Sequence, residues 1–269
     1  MTLVLAFKWR VGAGDAVLIS SDSRATTPLG IAYEVRKVKP MVFEDRPLAV
    51  AGGAGDAALV KWGYEVAEEV LAGEAGERGA PLPAPLFRRA VRMIEDRLAG
   101  RLYRLRGLGI EPSFQMVLGS VDGEGRASLY VFDNRGLAEP VHENPGYAVI
   151  GSGFITGGLL LLRLLGFSEL AASGRTGLLD LGMLTAFIID VVSEVDTSVG
   201  PFVGESWLMR LEERGGEKVV VLGELKPEAL REYKDRVERR REVLRRVWAL
   251  CDYTSEDEIL NLLGEYVEG

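Results

Sequence analysis

Only one cysteine, Cys251, and one histidine, His142, occur in the 269 residues. A lone cysteine excludes an internal disulfide and fits a reducing compartment, so a cytoplasmic location is expected. A lone histidine, close to Pro140 in a loop-like stretch, is a poor basis for a Ser-His-Asp triad, and no Gly-x-Ser-x-Gly turn accompanies it. Metal sites draw on clustered His, Cys or carboxylates. No such spacing occurs, so neither a metal nor another cofactor is expected. The most apolar run, residues 154–165, contains Arg163 and is shorter than the roughly 20 residues a membrane span needs. The first seven residues carry no basic lead and no small-residue cleavage site, so no signal peptide and no membrane partner are expected. Basic residues are the minority, 32 against 40 acidic, for a net charge of −8. Such a chain has no general attraction for a phosphate backbone, and nucleic acid is not an expected partner.

Apolar residues at 47% and charged residues at 27% are the proportions of a folded globular chain. Residues 2–8 and 16–21 read as strands around a turn over 10–15 that holds Gly12 and Gly14. Residues 31–41 and 47–51 read as further strands, and Gly52–Gly55 is expected to break the pattern. Leu59, Trp62, Val66 and Val70 recur at the helical period and predict a helix over 56–72. Phe87, Val91, Ile94 and Leu98 predict a second helix over 86–105. Strands return at 113–121, 127–133 and 147–150. Helices follow to about residue 165 and over 177–195, and a closing hairpin spans 205–222 around Gly215 and Gly216. Strands, two helices, strands, two helices, strands is the order of a layered α+β fold rather than of βαβ units. Two antiparallel sheets face to face with helices outside, αββα, are its natural packing.

Beyond Leu225 the composition changes to dense Arg and Glu. Leu230, Val237, Leu244 and Cys251 recur every seven residues and mark a helix with a narrow apolar seam. Ser255 and Glu258 have the spacing of a capping box before a last helix over 259–267. Residues 1–225 are therefore expected to form one domain, and residues 226–269 a helical extension.

Three short stretches carry groups that can do chemistry. Thr2 follows Met1, and methionine is commonly trimmed before a small residue. Trimming would give a first residue with both a hydroxyl and a free amine. The amine titrates near a pKa of about 8 and can serve as base for its own hydroxyl. The stretch from Ser20 to Thr26 ends a strand and carries Asp22 and Arg24. The stretch Ala51-Gly52-Gly53-Ala54-Gly55-Asp56 lies between a strand and a helix, where glycine lets a backbone N–H face a substrate.

Together these stretches resemble the proteasome β-subunit family of N-terminal-nucleophile (Ntn) hydrolases. The order is the family's: nucleophile first, Asp-x-Arg after the second strand, a lysine 15 residues on, then Ala-Gly-x-x-Gly-Asp. Gly151-Ser152-Gly153 resembles the family's Gly-Ser-Gly before its third helix, and the likeness covers residues 2–222. The resemblance implies Thr2 as nucleophile and Asp22 as the residue that orients a lysine. It implies Lys37 as that lysine, chosen over Lys39 because Arg36-Lys37-Val38 fits the basic-Lys-aliphatic pattern. Gly52 would supply the oxyanion N–H, with Ser152 and Asp196 near the terminal amine. Thr26, Gly52 and Ala54 would pair with an extended peptide, and Ala25 and Val50 would line an apolar pocket for the side chain before the scissile bond.

The implied function is a threonine amide hydrolase acting on peptide or protein substrates through an acyl ester, without a cofactor. The implied assembly is a homo-oligomer or ring, or a chain working alone. The start of the chain and its helical addition also resemble connectases, proteasome-like archaeal proteins that join peptides by transamidation. A non-catalytic structural subunit of the same fold is the third reading. The sequence departs from the proteasome pattern in places. It has Asp196-Thr197-Ser198-Val199-Gly200 where Asp-x-x-Ser-Gly is usual, a longer first hairpin, no propeptide ahead of Thr2, and the extension.

Overall fold

The computed structural model describes residues 2–11, 14–26, 32–34, 36–164, 166–167, 180–201, 203–225, 227–259 and 261. The side chains of 25, 26, 32–34 and 227–231 are outside that description. The chain divides into two compact units, residues 1–226 and residues 227–269.

In the first unit, β1 (Val4–Val11) and β2 (Gly14–Asp22) pair antiparallel, and the residues of the turn between them lie outside the described set. Two short strands follow, β3 (Arg24–Thr26) and β4 (Ala32–Glu34), paired only with each other. Next come β5 (Val38–Phe43), β6 (Arg46–Gly55), α1 (Ala57–Arg78), α2 (Ala84–Gly107), β7 (Phe114–Val121), β8 (Ala127–Phe132), β9 (Ala138–Pro140) and β10 (Tyr147–Ile150). A 3₁₀ turn at Ser152–Phe154 leads to α3 (Gly158–Leu164), then α4 (Leu181–Val195), β11 (Val203–Arg214) and β12 (Glu217–Glu224).

The strands form two five-stranded antiparallel sheets, ordered β10-β1-β2-β11-β12 and β5-β6-β7-β8-β9. The sheets stack on an apolar layer that includes Val4, Ala6, Val17, Ile19, Val50 and Val117. Helices α1 and α2 cover the outer face of the second sheet through Leu71, Phe87, Leu98, Phe114 and Phe132. On the outer face of the first sheet, α4 packs against β2 and β11, and the Phe7 ring meets Phe167 at 5.1 Å. This is the αββα sandwich expected from the order of elements. Because both faces of β1 are covered, its first residues are uniformly apolar rather than alternating.

The start of α1 follows from Asp56, whose Oδ1 accepts the N–H groups of Ala58 (2.9 Å) and Leu59 (3.1 Å). This side chain satisfies donors that have no partner inside the helix.

Some boundaries differ from the sequence reading. Residues 31–41 do not form one strand. The chain leaves β4 and begins β5 in another sheet, a change that side-chain alternation does not register. Gly52–Gly55 does not break β6, which runs to Gly55 before a φ of 118° turns the chain. Glycine is needed there for close packing: a Cβ on Gly52 would stand 2.7 Å from Val4 Cγ1, and one on Gly53 would stand 2.3 Å from Val60 Cγ1. β9 was not anticipated; three residues ending in proline carry little pattern. The helix expected up to residue 165 is split into the 3₁₀ turn and α3.

In the second unit, α5 (Pro227–Leu250) is studded with pairs such as Arg246–Glu242 at 2.8 Å. Of the expected seam, Val237 is buried, whereas Leu244 and Cys251 are exposed. Ser255 Oγ accepts the Glu258 N–H at 3.3 Å, while residues 260 and 262–267 of the expected last helix lie outside the described residues. Among the described residues, no helix is long and apolar enough to cross a membrane.

Candidate functional site

The register of β1 on β2 pairs Val4 with Ser21 and brings the start of the chain beside Asp22. The Asp22 N–H donates to the Leu3 carbonyl at 3.1 Å. In return, Asp22 Oδ1 accepts the Leu3 N–H at 2.8 Å. The carbonyl end of the same Thr2–Leu3 peptide is held from the other side. Thr2 O accepts from the Gly153 N–H at 3.3 Å and from Ser152 Oγ at 3.5 Å. Thr2 itself is buried.

Gly151 must be glycine for this arrangement. Its φ is 91°, and a Cβ would stand 2.1 Å from Thr2 O. Its N–H donates to Gln115 Oε1 on β7 at 2.9 Å, which ties the loop to the second sheet.

Asp22 has no solvent exposure and is saturated with donors. Oδ1 takes Leu3 N–H and Lys37 Nζ, the latter at 2.6 Å. Oδ2 takes the N–H of Arg24 at 3.0 Å and of Gly200 at 2.8 Å. Lys37 is also buried, and its Nζ donates to the Arg24 carbonyl as well. Burial lowers the Lys37 pKa below its ordinary value, and the Asp22 carboxylate opposes that shift without overcoming it. Lys39 goes elsewhere: it is partly exposed and pairs with Glu68 on α1.

Ser152 and Asp196 meet through Ser198. Asp196 Oδ1 accepts the Ser198 N–H at 3.0 Å and its hydroxyl, and Oδ2 accepts Thr156 Oγ1 at 3.3 Å. Ser198 Oγ lies 3.3 Å from Ser152 Oγ. Because the Ser198 hydroxyl hydrogen goes to Asp196, the Ser152 hydroxyl is left to donate to Ser198, to Thr2 O or to Asp196. Burial pushes the Asp196 carboxyl up, but hydrogen bonds from Ser198, Ser152 and Thr156 outweigh it and hold the pKa below the ordinary carboxylate range. The serine missing from its usual place in the motif is thus matched by one a residue earlier, in contact with both groups.

Gly52 lies within β6 opposite Val38 on one side and Val117 on the other. Ala54 is buried opposite Gln115, and the position of a Cβ on Gly151 lies 3.3 Å from Ala54 Cβ. Val50 is buried in the layer between the sheets. Ala25 and Thr26 belong to β3, opposite Tyr33 and Ala32. Thr2, Asp22, Lys37, Ser152 and Asp196 are linked by hydrogen bonds, either directly or through Leu3 and Ser198. Gly52 and Val50 sit on the adjacent strand of the facing sheet.

Several contacts were not read from the sequence: Glu205, Tyr64, Gln115, and the main chain of Arg24 and Gly200. Each depends on which distant strands become neighbours. A cavity of about 510 Å³ lies elsewhere, lined by Arg88, Arg92, Tyr130 and His142 among others. None of the candidate residues lines it. Among the described residues there is no group of three or more His, Cys, Asp or Glu that could hold a metal.

The two stacked antiparallel sheets with flanking helices form the αββα sandwich of the Ntn-hydrolase fold. Among solved structures, a mutant of Anbu from Hyphomicrobium sp. strain MC1 is similar, with a TM-score of 0.62 and 17% identity over 94% of this chain and 100% of the other. Anbu from the same strain in another crystal form has a TM-score of 0.60 and 16% identity over 92% and 97%. At this identity the likeness is one of fold. No protein-family model matches the sequence, and no curated protein matches it.

Proposed function

We propose that this chain, once Met1 is removed, is an N-terminal threonine amide hydrolase that acts on peptide bonds through an acyl ester. The observation that carries this reading is the buried Asp22 carboxylate, which binds both the Leu3 N–H and Lys37 Nζ on one oxygen. It anchors the residue after Thr2 and fixes a cation at the same point.

Alternation carried back from Val4 and Ala6, which enter the layer between the sheets, would turn the Thr2 side chain toward β6. Thr2 Oγ would attack the scissile carbonyl carbon while its proton passes to the free α-amine. The Gly52 N–H would receive the developing oxyanion. The C–N bond then breaks, the leaving amine takes the proton, and a threonyl ester remains. Water attacks the ester next and restores Thr2. Lys37, held by Asp22, would favour the ionised hydroxyl. Ser152, Ser198 and Asp196 would orient the amine. A peptide would lie extended along Thr26, Gly52 and Ala54, with Ala25 and Val50 lining the pocket for its side chain.

In this reading residues 1–225 are the catalytic domain. The extension, residues 226–269, would restrict or redirect the contacts by which such a domain assembles as a homo-oligomer or ring. Transamidation is the second reading, favoured by the separate helical unit; an amine would then replace water at the ester. Incubation with a fluorogenic peptide, with and without an added amine acceptor, tests both. Turnover lost in Thr2→Ala supports the threonine mechanism, and an amine-dependent joined product assigns transamidation. Turnover that survives in Thr2→Ala refutes the reading.

A further inference from the structure

Lys37 should not face Asp22 if β5 were regular from its start. Val38 points into the layer between the sheets, and Lys39 points the other way, to Glu68 on α1. Alternation would put Lys37 on the Lys39 side. Instead its Nζ reaches Asp22 on the facing sheet.

The backbone shows how. The N–H groups of Lys37 and Val38 both donate to the same oxygen, Oε2 of Glu205, at 2.9 and 3.0 Å. In a strand, successive N–H groups point to opposite sides. Two that converge on one oxygen mark a turn in the chain. The Lys37 carbonyl is pinned as well, by Tyr64 Oη at 2.5 Å and the Gly53 N–H at 3.1 Å.

We propose that Glu205 is a positioning residue for the Thr2 chemistry: its carboxylate holds the kink that turns Lys37 from the α1 side to the Asp22 side. The proposal rests on the threonine-hydrolase reading for its catalytic part only.

Glu205 is otherwise hard to account for. It is buried, and among the described residues its ion-pair partner is Arg36 at 3.5 Å, which is itself 83% exposed. With its cation in solvent, such a pair is screened and contributes little to holding Glu205 in place. Burial raises the Glu205 pKa, and Glu224 adds to the shift against the opposing pull of the two amides and Arg36. What the carboxylate holds is the pair of amides, and charge-assisted bonds hold more strongly than neutral ones.

The test compares Glu205→Ala with Glu205→Gln in the full chain. Glutamine keeps the accepting oxygen and drops the charge; alanine removes both. Two readouts are taken. One is the rate at which a β-lactone probe acylates Thr2. The other is the titration of Lys37 followed by NMR in protein labelled at the lysine side chain, assigned by its loss in Lys37→Arg. Glu205→Ala is expected to slow acylation roughly ten- to a hundredfold, the scale of a small misplacement. It should also move the Lys37 titration up toward that of an ordinary lysine, as Nζ leaves its buried site. Glu205→Gln should stay within about threefold of the parent and keep the titration low. If the parent takes no adduct, the threonine reading fails and the Lys37 titration alone decides the kink. An unchanged titration in Glu205→Ala, or a glutamine variant as impaired as the alanine one, overturns the proposal.

Discussion

Asp22→Asn tests the arrangement at its most constrained point. The carboxylate accepts four donors with no exposure: Leu3 N–H, Lys37 Nζ, Arg24 N–H and Gly200 N–H. An asparagine oxygen can satisfy the pair on one side. Its amide hydrogens then point at the two donors on the other, whichever way it is turned. Each orphaned buried donor costs about 1–3 kcal/mol, and removing one partner of a buried ion pair costs about 3–5 kcal/mol. These overlap, because Lys37 is one of the donors, so the expected loss is about 3–5 kcal/mol. For a unit of this size that is a fall in Tm of roughly 6–20 °C. Lys37 should respond too. Asp22 is what raises its pKa against burial, so the titration should move further down in the variant. Denaturant unfolding at neutral pH measures the loss, and NMR of the labelled lysine measures the shift. A loss below about 1 kcal/mol with the Lys37 titration unmoved would refute the view that this carboxylate organises the site.

Gly151→Ala forces a side chain into a left-handed backbone position and against Thr2 O, so it should lower Tm and abolish acylation of Thr2. A thermal scan with the adduct assay checks both, and a variant as stable and reactive as the parent would contradict the close approach. Ser198→Ala removes the hydroxyl bond that does most to hold the Asp196 pKa down, so carboxyl-labelled NMR should show it rise toward the ordinary value near 3.8. The linkage follows in sign: the depressed pKa contributes stability above the ordinary value and loses it as pH falls through the folded one. Ser198→Ala should therefore cost most near neutral pH and converge with the parent in acid, read by unfolding at several pH values.

The order of layers was legible because amphipathic periods and glycine-marked turns are local. Trp62, Val66 and Val70 identify α1, and Asp56 marks its start. Thr2, Asp22 and Lys37 stood out through the order and spacing of motifs that resemble the proteasome β-subunit family; taken one at a time, each reads as an ordinary residue at or in a strand. The choice of Lys37 over Lys39 came from a three-residue pattern. The geometry that separates them comes from Glu205, 168 positions away. Nothing local to Glu205 says that β11 will lie beside β2 and pair it with Ser21. Gln115 and Gly200 were hidden for the same reason. Gly52 and Gly53 misled in the opposite direction: glycines in a row read as a break, but here they let β6 pass between Val4 and Val60.

The intact mass of the protein, before and after incubation with a β-lactone, tests the central claim most directly. The account predicts a chain that lacks Met1, gains the mass of one opened lactone, and takes none when Thr2 is alanine. A chain that has lost Met1 and takes no adduct, or one whose adduct persists in Thr2→Ala, would contradict it.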